Sequence, residues 1–398
     1  MRKATIVAAL LLLTPAVSQA KTLEDLLVEK GVITKGEAAG SSDAGTSKVY
    51  WNQGTRVDFP DTGFTTNIAT LLQTRYAFTD RDEKAGLKNT SSFDVNRARL
   101  IISGTALNKE FSYMLSTDFV SANDSDANFD AAPSVRDAYI DWKPCNDNSG
   151  IRLGVAKTAI SRQFNTNQQS MQFADRSATS EYFTIGRATG ATAFGTLADG
   201  MIEASAGIYN NTTGANALDS NDSTHHTGVA AVRLNPTGKM NVQEEGDIDW
   251  TEDLATSVGA AYAYSDRVAT ADVETNLVNI DANLKYMGWG VHAEYFNKNV
   301  SDGAGDPSGF YAQAGYYFVP KKVELAARYG YTDCDNGLAT GTCSGNDSLS
   351  EASATLNYYF WRHSLKAQLG YDFVKTDPTA VGSDVNSNRY IFQLSSYF

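Results

Sequence analysis

Val278, Ile280, Ala282, Leu284 and Tyr286 alternate with Asn279, Asp281, Asn283 and Lys285. The same period of two runs through 310–318, 323–331 and 365–373. It returns in the last twelve residues. There Tyr390, Phe392, Leu394 and Phe398 share one face, and Arg389, Gln393 and Ser395 the other, with Ile391 as the apolar exception. Such alternation predicts strands with one apolar and one polar face. A closing strand that stops on an aromatic residue suits a β-barrel in a bilayer. A soluble sandwich alternates too, so the connections must discriminate.

They alternate in length. Tight links are predicted at Asn108-Lys109, at Gly288, at Pro320-Lys321-Lys322 and at Trp361-Arg362-His363. Long polar links are predicted from Thr79 to Ser92, Ser121 to Pro133, Asn211 to Thr224, Val300 to Ser308, Thr332 to Leu349 and Thr376 to Asn386. Short turns at one end and long loops at the other are the asymmetry of an outer-membrane barrel. Asn235 to Asp253 breaks the rule, being long and acidic where a short turn is expected. The expected fold is all-β: a transmembrane antiparallel β-barrel of about sixteen strands counted from Phe64, with both ends on the same side.

The N-terminus reads differently. Arg2 and Lys3, the apolar run Ile6–Leu13 and Ser18-Gln19-Ala20 form a signal peptide over residues 1–20, too short for a membrane helix. Residues 21–48 are read as a periplasmic helical tail and linker, with Leu23, Leu26 and Leu27 on one face, a stop at Gly31 and a second cap at Thr34 and Glu37. Residues 49–398 form the barrel. Past Ala20 no stretch approaches the roughly 18 apolar residues of a helical span. A membrane location therefore requires a closed barrel, which satisfies every backbone group without water.

Composition narrows the picture. Aromatic residues make up 11% of the chain, 20 of them Tyr, as interfacial girdles require. The formal charge of −13 becomes −15 once Arg2 and Lys3 are removed, which argues against a nucleic-acid partner. Cys334 and Cys343 lie nine apart in a polar segment of an exported chain, and a loop disulfide is expected; a zinc pair lacks a nearby His. Cys145 is left over in a turn.

Thr158 to Ile185 is neither strand nor ordinary loop. A barrel this wide holds open water unless something folds inward, and this segment is expected to form an inward-folded constriction loop. Between Lys157 and Gly190, Lys157, Arg162, Arg176 and Arg187 outnumber Asp175 and Glu181, a net charge of +2 in a negative chain. Two readings follow: an electrostatic filter for anions, or ion pairs that pin the loop to wall carboxylates. Arg75, Arg97, Arg99 and Arg152 are further lumen candidates, because a basic residue on the lipid face costs about 2–4 kcal/mol at the midplane. Asp118, Asp137, Asp141, Glu203, Asp281, Glu294, Glu324 and Asp372 face inward as well, so wall composition does not secure anion preference.

Arg97-Ala98-Arg99 leading to Gly104, Arg152-Leu153-Gly154, Asp175-Arg176-Ser177 and Gly186-Arg187 occur in one order. With Gly31-Val32-Ile33-Thr34 they make the chain resemble the phosphate-selective porin O and P family. The resemblance covers most of residues 22–398. It implies a homotrimer in the outer membrane of a Gram-negative bacterium, with outer-membrane lipids around it and no cofactor. Each barrel would pass small hydrophilic solutes, anions such as phosphate among them. Arg97, Arg99, Arg176 and Arg187 match basic positions of the family motif. The inserted loop departs from it in having only Lys157 where relatives carry a lysine cluster, which weakens the case for tight phosphate selectivity.

The alternatives are a general non-selective porin, an adhesin or receptor acting through its loops, and a barrel enzyme. The four histidines are His225, His226, His292 and His363, and no Gly-x-Ser-x-Gly or His-Glu-x-x-His occurs. His292 and Glu294 are read as inward-facing with no nucleophile signalled beside them, so no catalytic site is expected. The acidic runs 124–126 and 219–222 lack the spacing of a calcium loop, and no metal site is expected.

Overall fold

The computed structural model describes residues 28–31, 47–82, 88–120, 133–213, 224–238, 240, 243–266, 274–301, 305–335, 343, 345–379 and 384–398. Two short strands, β1 (Lys48–Trp51) and β2 (Thr55–Phe59), precede sixteen that form the wall. The first eight are β3 (Phe64–Arg81), β4 (Thr90–Ala106), β5 (Phe111–Asp118), β6 (Ser134–Asn146), β7 (Ser149–Lys157), β8 (Arg187–Leu197), β9 (Ile202–Thr213) and β10 (His226–Leu234). The other eight are β11 (Ala255–Ser265), β12 (Thr275–Tyr286), β13 (Trp289–Val300), β14 (Ser308–Val319), β15 (Val323–Asp333), β16 (Asn346–Trp361), β17 (Leu365–Pro378) and β18 (Val385–Tyr397). Each pairs antiparallel with the next, and β18 pairs with β3 to close the ring.

The closure explains the aromatic terminus. Phe398 exchanges backbone hydrogen bonds of 2.6 and 3.0 Å with Thr70, where β18 runs out. Below that point β2 takes over the same edge of β3, pairing Thr55 with Ile68 through Phe59 with Phe64. The free strand edge is thereby covered by the chain's own hairpin. Trp51 of β1 stacks on Trp361 at the β16–β17 turn, with ring centroids 4.6 Å apart. Residue 48, placed in the linker on sequence grounds, is the first residue of this hairpin. Of the tail itself only residues 28–31 are described; there the Gly31 N–H donates to the Val28 carbonyl, with Gly31 left-handed.

Strands run further than the hydrophobic alternation suggests. β3 reaches Arg81 and β16 begins at Asn346, inside segments expected to be loops. Thr79 still pairs with Thr90, and Asp333 with Ser348. Alternation marks only the apolar belt, whereas backbone pairing continues into water. On the outer face Ile280, Phe310, Leu325, Leu369 and Phe392 are exposed, as lipid contact requires. Among the described residues Cys334 and Cys343 are disulfide-bonded and Cys145 is an exposed free thiol.

Residues 158–186 fold into the lumen. Thr158 closes their base through two bonds to the Gly186 carbonyl, 3.0 and 3.1 Å. Two short helices, α1 (Arg162–Asn165) and α2 (Ala178–Phe183), are capped by Ser161 and Ser177. The acidic segment between β10 and β11 also turns inward, from the opposite end. Among its described residues Glu244, Glu245, Asp247 and Ile248 are buried, and Ile248 packs on Tyr317 and Tyr359. The Glu245 N–H donates to the Ser170 carbonyl at 3.1 Å, so the two inserted segments meet inside the barrel.

Two inward glycines make room for them. A β-carbon on Gly315 would lie 2.1 Å from Gln172 Nε2, and one on Gly290 2.6 Å from the Glu245 carbonyl oxygen. Gly315→Leu overpacks that contact, typically a cost of about 1–3 kcal/mol, and should dislodge the 158–186 loop from a barrel that stays folded. Limited proteolysis should then cut within 158–186 while the heat-modifiable barrel band persists on a denaturing gel; a loop as resistant as in the parent protein would contradict this packing.

Candidate functional site: a half-filled lumen lined by arginines

The walls of the lumen divide by what they bind. From β13 to β16, carboxylates anchor the inserted segments. Glu294 accepts from the backbone N–H of Arg162 and Gln163, from the hydroxyls of Ser161 and Tyr311, and from Asn279, at 2.6–3.3 Å. Glu324 accepts from Gln172, Asn357 and Tyr359, and Glu351 from the Ala178 N–H. Glu245, on the second segment, accepts from the Gln163 and Gln313 side chains and from the Gln172 N–H. Glu294, Glu324 and Glu245 are each met by several donors, and Glu351 by the Ala178 N–H and the Arg328 guanidinium, the condition under which their burial is tolerable. His292 is buried here, with its ring nitrogens engaged by Asn283 and the Glu245 carbonyl.

The opposite wall carries arginines. Arg99 binds Asp118 at 2.7 Å, Arg152 binds Asp141 at 2.7 Å and Arg187 binds Asp137 at 3.0 Å. Arg75 binds Asp94, and Arg152 also stacks on Tyr139, 3.8 Å from the ring centroid. The lumen stays open along this side: a cavity of about 280 Å³ is lined by Arg56, Asn67, Ser103, Tyr139 and Asp141.

Three of the four loop cations expected on sequence grounds converge at one edge of the 158–186 loop, around the Phe164 ring. Arg176 lies 4.6 Å, Lys157 5.7 Å and Arg187 5.9 Å from its centroid. Lys157 Nζ donates to the carbonyls of Asn165 and Thr166, and Arg176 to those of Gln163 and Phe164. Arg176 also reaches the exposed Glu181 at 3.5 Å. Arg97 faces the same edge, with Arg176, Arg99 and Asp175 as electrostatic neighbours, and bonds Gln73 at 2.7 Å. Among the described residues neither Arg97 nor Lys157 has a carboxylate within ion-pair distance.

Arg162 is the exception. Its side chain turns to another part of the lumen, 3.7 Å from Asp281 and beside a cavity of about 230 Å³ that Arg233 and Glu203 also line. The cause is local: Glu294 captures the backbone N–H of Arg162 and sets the direction of α1. Burial pushes the Arg162 guanidinium down to about 10, so it is charged at neutral pH.

Asp175 enters the sequence reading through the loop's charge balance and the Asp175-Arg176-Ser177 element, and not as a site residue. It reaches Arg75 at 3.2 Å and Arg389 at 3.0 Å, and its backbone carbonyl accepts from Arg328. Burial opposes its ionisation, but the guanidiniums of Arg389, Arg75, Arg97 and Arg328 prevail and hold its carboxyl below the ordinary 3.8. Arg389 was visible on the polar face of the last strand; only closure of the barrel brings it to Asp175.

The sequence profile described as phosphate-selective porin O and P matches residues 68–395. The chain belongs to that family. Among curated proteins no sequence match is found. The fold is similar to the outer membrane channel DcaP of Acinetobacter baumannii, with a TM-score of 0.58 at 12% identity over 84% of this chain and 98% of that one. It is similar to OmpT of Vibrio cholerae, at 0.55 and 12% over 88% of this chain and 100% of that one. It is similar also to an anion-selective porin from Comamonas acidovorans, at 0.55 and 13% over 83% and 99%. The porin is an outer-membrane channel of Gram-negative type.

Two outcomes follow. Glu245→Ala removes three charge-assisted hydrogen bonds, worth about 1.5–3 kcal/mol each. Single-channel current should then rise and flicker between levels, where a steady parental level would show that the second segment does not support the loop. The depressed Asp175 carboxyl keeps its ionic attachment above the unfolded value and loses it only as pH falls through the folded one. Conductance should therefore show no transition from neutralising this carboxylate between neutral pH and about 4; a transition nearer pH 6 would contradict it.

Proposed function

We propose that this porin passes small hydrophilic anions, phosphate among them, by passive diffusion past the edge of the 158–186 loop. The observation that carries the reading is the pair Arg97 and Lys157, neither within ion-pair distance of a carboxylate among the described residues, beside Arg176, on a wall where Asp118, Asp141 and Asp137 each already hold an arginine. A permeating anion meets cationic donors there, and a cation meets no free carboxylate. The anion-selective character of the Comamonas acidovorans porin, a fold relative, agrees with this. A homotrimer is part of the proposal, since OmpT of Vibrio cholerae has a trimer form. So are a signal peptide over residues 1–20 and a periplasmic helical tail and linker over residues 21–47.

A second reading, a general porin, draws on the pairing of Arg75, Arg99, Arg152 and Arg187 with aspartates, which leaves them as wall struts. Reversal potential of the purified protein in a planar bilayer under a KCl gradient separates the two. The anion reading expects an anion-selective potential and block of chloride current by added phosphate. Lys157→Gln with Arg97→Gln should lower the anion-to-cation permeability ratio by about threefold or more, since a unit charge about 4 Å from the ion is worth about 1 kcal/mol even in water. A weak potential that the double substitution leaves unmoved would make this a general porin.

A further inference from the structure

The Asp175 side chain lies where a solute anion would lie. Its carboxylate bridges Arg75 and Arg389 at 3.2 and 3.0 Å, with Arg97 as a further electrostatic neighbour. Arg75 and Arg389 each retain a wall partner of their own, Asp94 and Asp372, so neither needs Asp175 to be neutralised. The cluster is reachable from the lumen, the side chains of Asp175 and Arg389 being 26% and 33% exposed. The peptide is held without the carboxylate: Arg328 donates to the Asp175 carbonyl at 3.0 Å, and the Ala178 N–H donates to Glu351 at 2.9 Å. The carboxylate can therefore swing away while the loop stays in place.

We propose that Arg75, Arg97 and Arg389 form an oxyanion subsite whose resident occupant is the tethered Asp175 carboxylate, displaced by small carboxylate or phosphate anions as they pass. The inference rests on the anion reading above and deepens it. A tethered occupant is present at a high effective concentration, so it competes with every free anion and keeps the site from holding one tightly. Fast release is what conduction requires of a site on the path. Asp175 thus sets the strength of anion binding in the channel, and the arginines alone would trap their cargo.

Asp175→Asn tests this with sodium acetate and inorganic phosphate as probes, on protein whose heat-modifiable mobility shows a folded barrel. The reversal potential should shift toward anions, and the concentration of probe that halves the chloride current should fall about tenfold, as removing one competing charge at close range implies. Asp175→Glu keeps the carboxylate and should behave as the parent. Arg389→Gln on the Asp175→Asn background should undo most of the gain. Gain with both probes, or with one of them, supports a displaceable occupant and names the anion preferred. Unchanged block and potential would overturn the proposal. So would a jump in conductance with loss of selectivity, which would make Asp175 a tether for the loop. A parent channel without anion preference overturns only the anion reading, because the Asp175→Asn shift is measured relative to that parent.

Discussion

A closed sheet of sixteen strands encloses more space than its own side chains can fill. The lumen must therefore hold either water or another part of the chain, and any backbone brought inside must find partners for its N–H and C=O groups. This porin meets the demand with wall carboxylates. Glu294, Glu324 and Glu351 collect donors from residues 161–180, and Glu245 ties that stretch to a second segment from the opposite end. These glutamates hold the insertion along one wall. In the proposed function, the cations left over on the other wall give the passage its sign.

That division reconciles a strongly acidic chain with the proposed anion path. Net charge describes the molecule and not the lumen edge. Asp118, Asp137 and Asp141 face inward, but each is engaged by an arginine at 3.0 Å or less. On this wall, among the described residues, Arg97 and Lys157 have carbonyl partners only, and a carbonyl leaves their charge in place. Whether a lumen residue acts on a solute depends on its partner more than on its identity.

Much of the architecture is legible in the chain. Period-two alternation, the terminal Phe398, the asymmetry of link lengths and the strand count all follow from the lipid boundary, which acts on every second residue. The inward loop is legible too, as a long insertion with inverted charge. The direction of each loop cation is not. Arg162 and Arg176 look alike in sequence, yet the capture of the Arg162 N–H by Glu294 turns one away from the edge that the other lines. The role of Asn235 to Asp253 also depends on distant partners. Its signal was present in the inward Gly290, where the backbone of Glu245, Gly246 and Asp247 approaches the wall. The Asp175 cluster required ring closure, because Arg75 and Arg389 become neighbours only when the last strand meets the first of the wall.

The most direct test of the central claim is a crystal structure of the protein grown in bromide, read by anomalous scattering. Ordered bromide between Lys157, Arg97 and Arg176 is the predicted result. Bromide confined to the surface loops, with none at that edge, would contradict the assignment of these cations to the anion path.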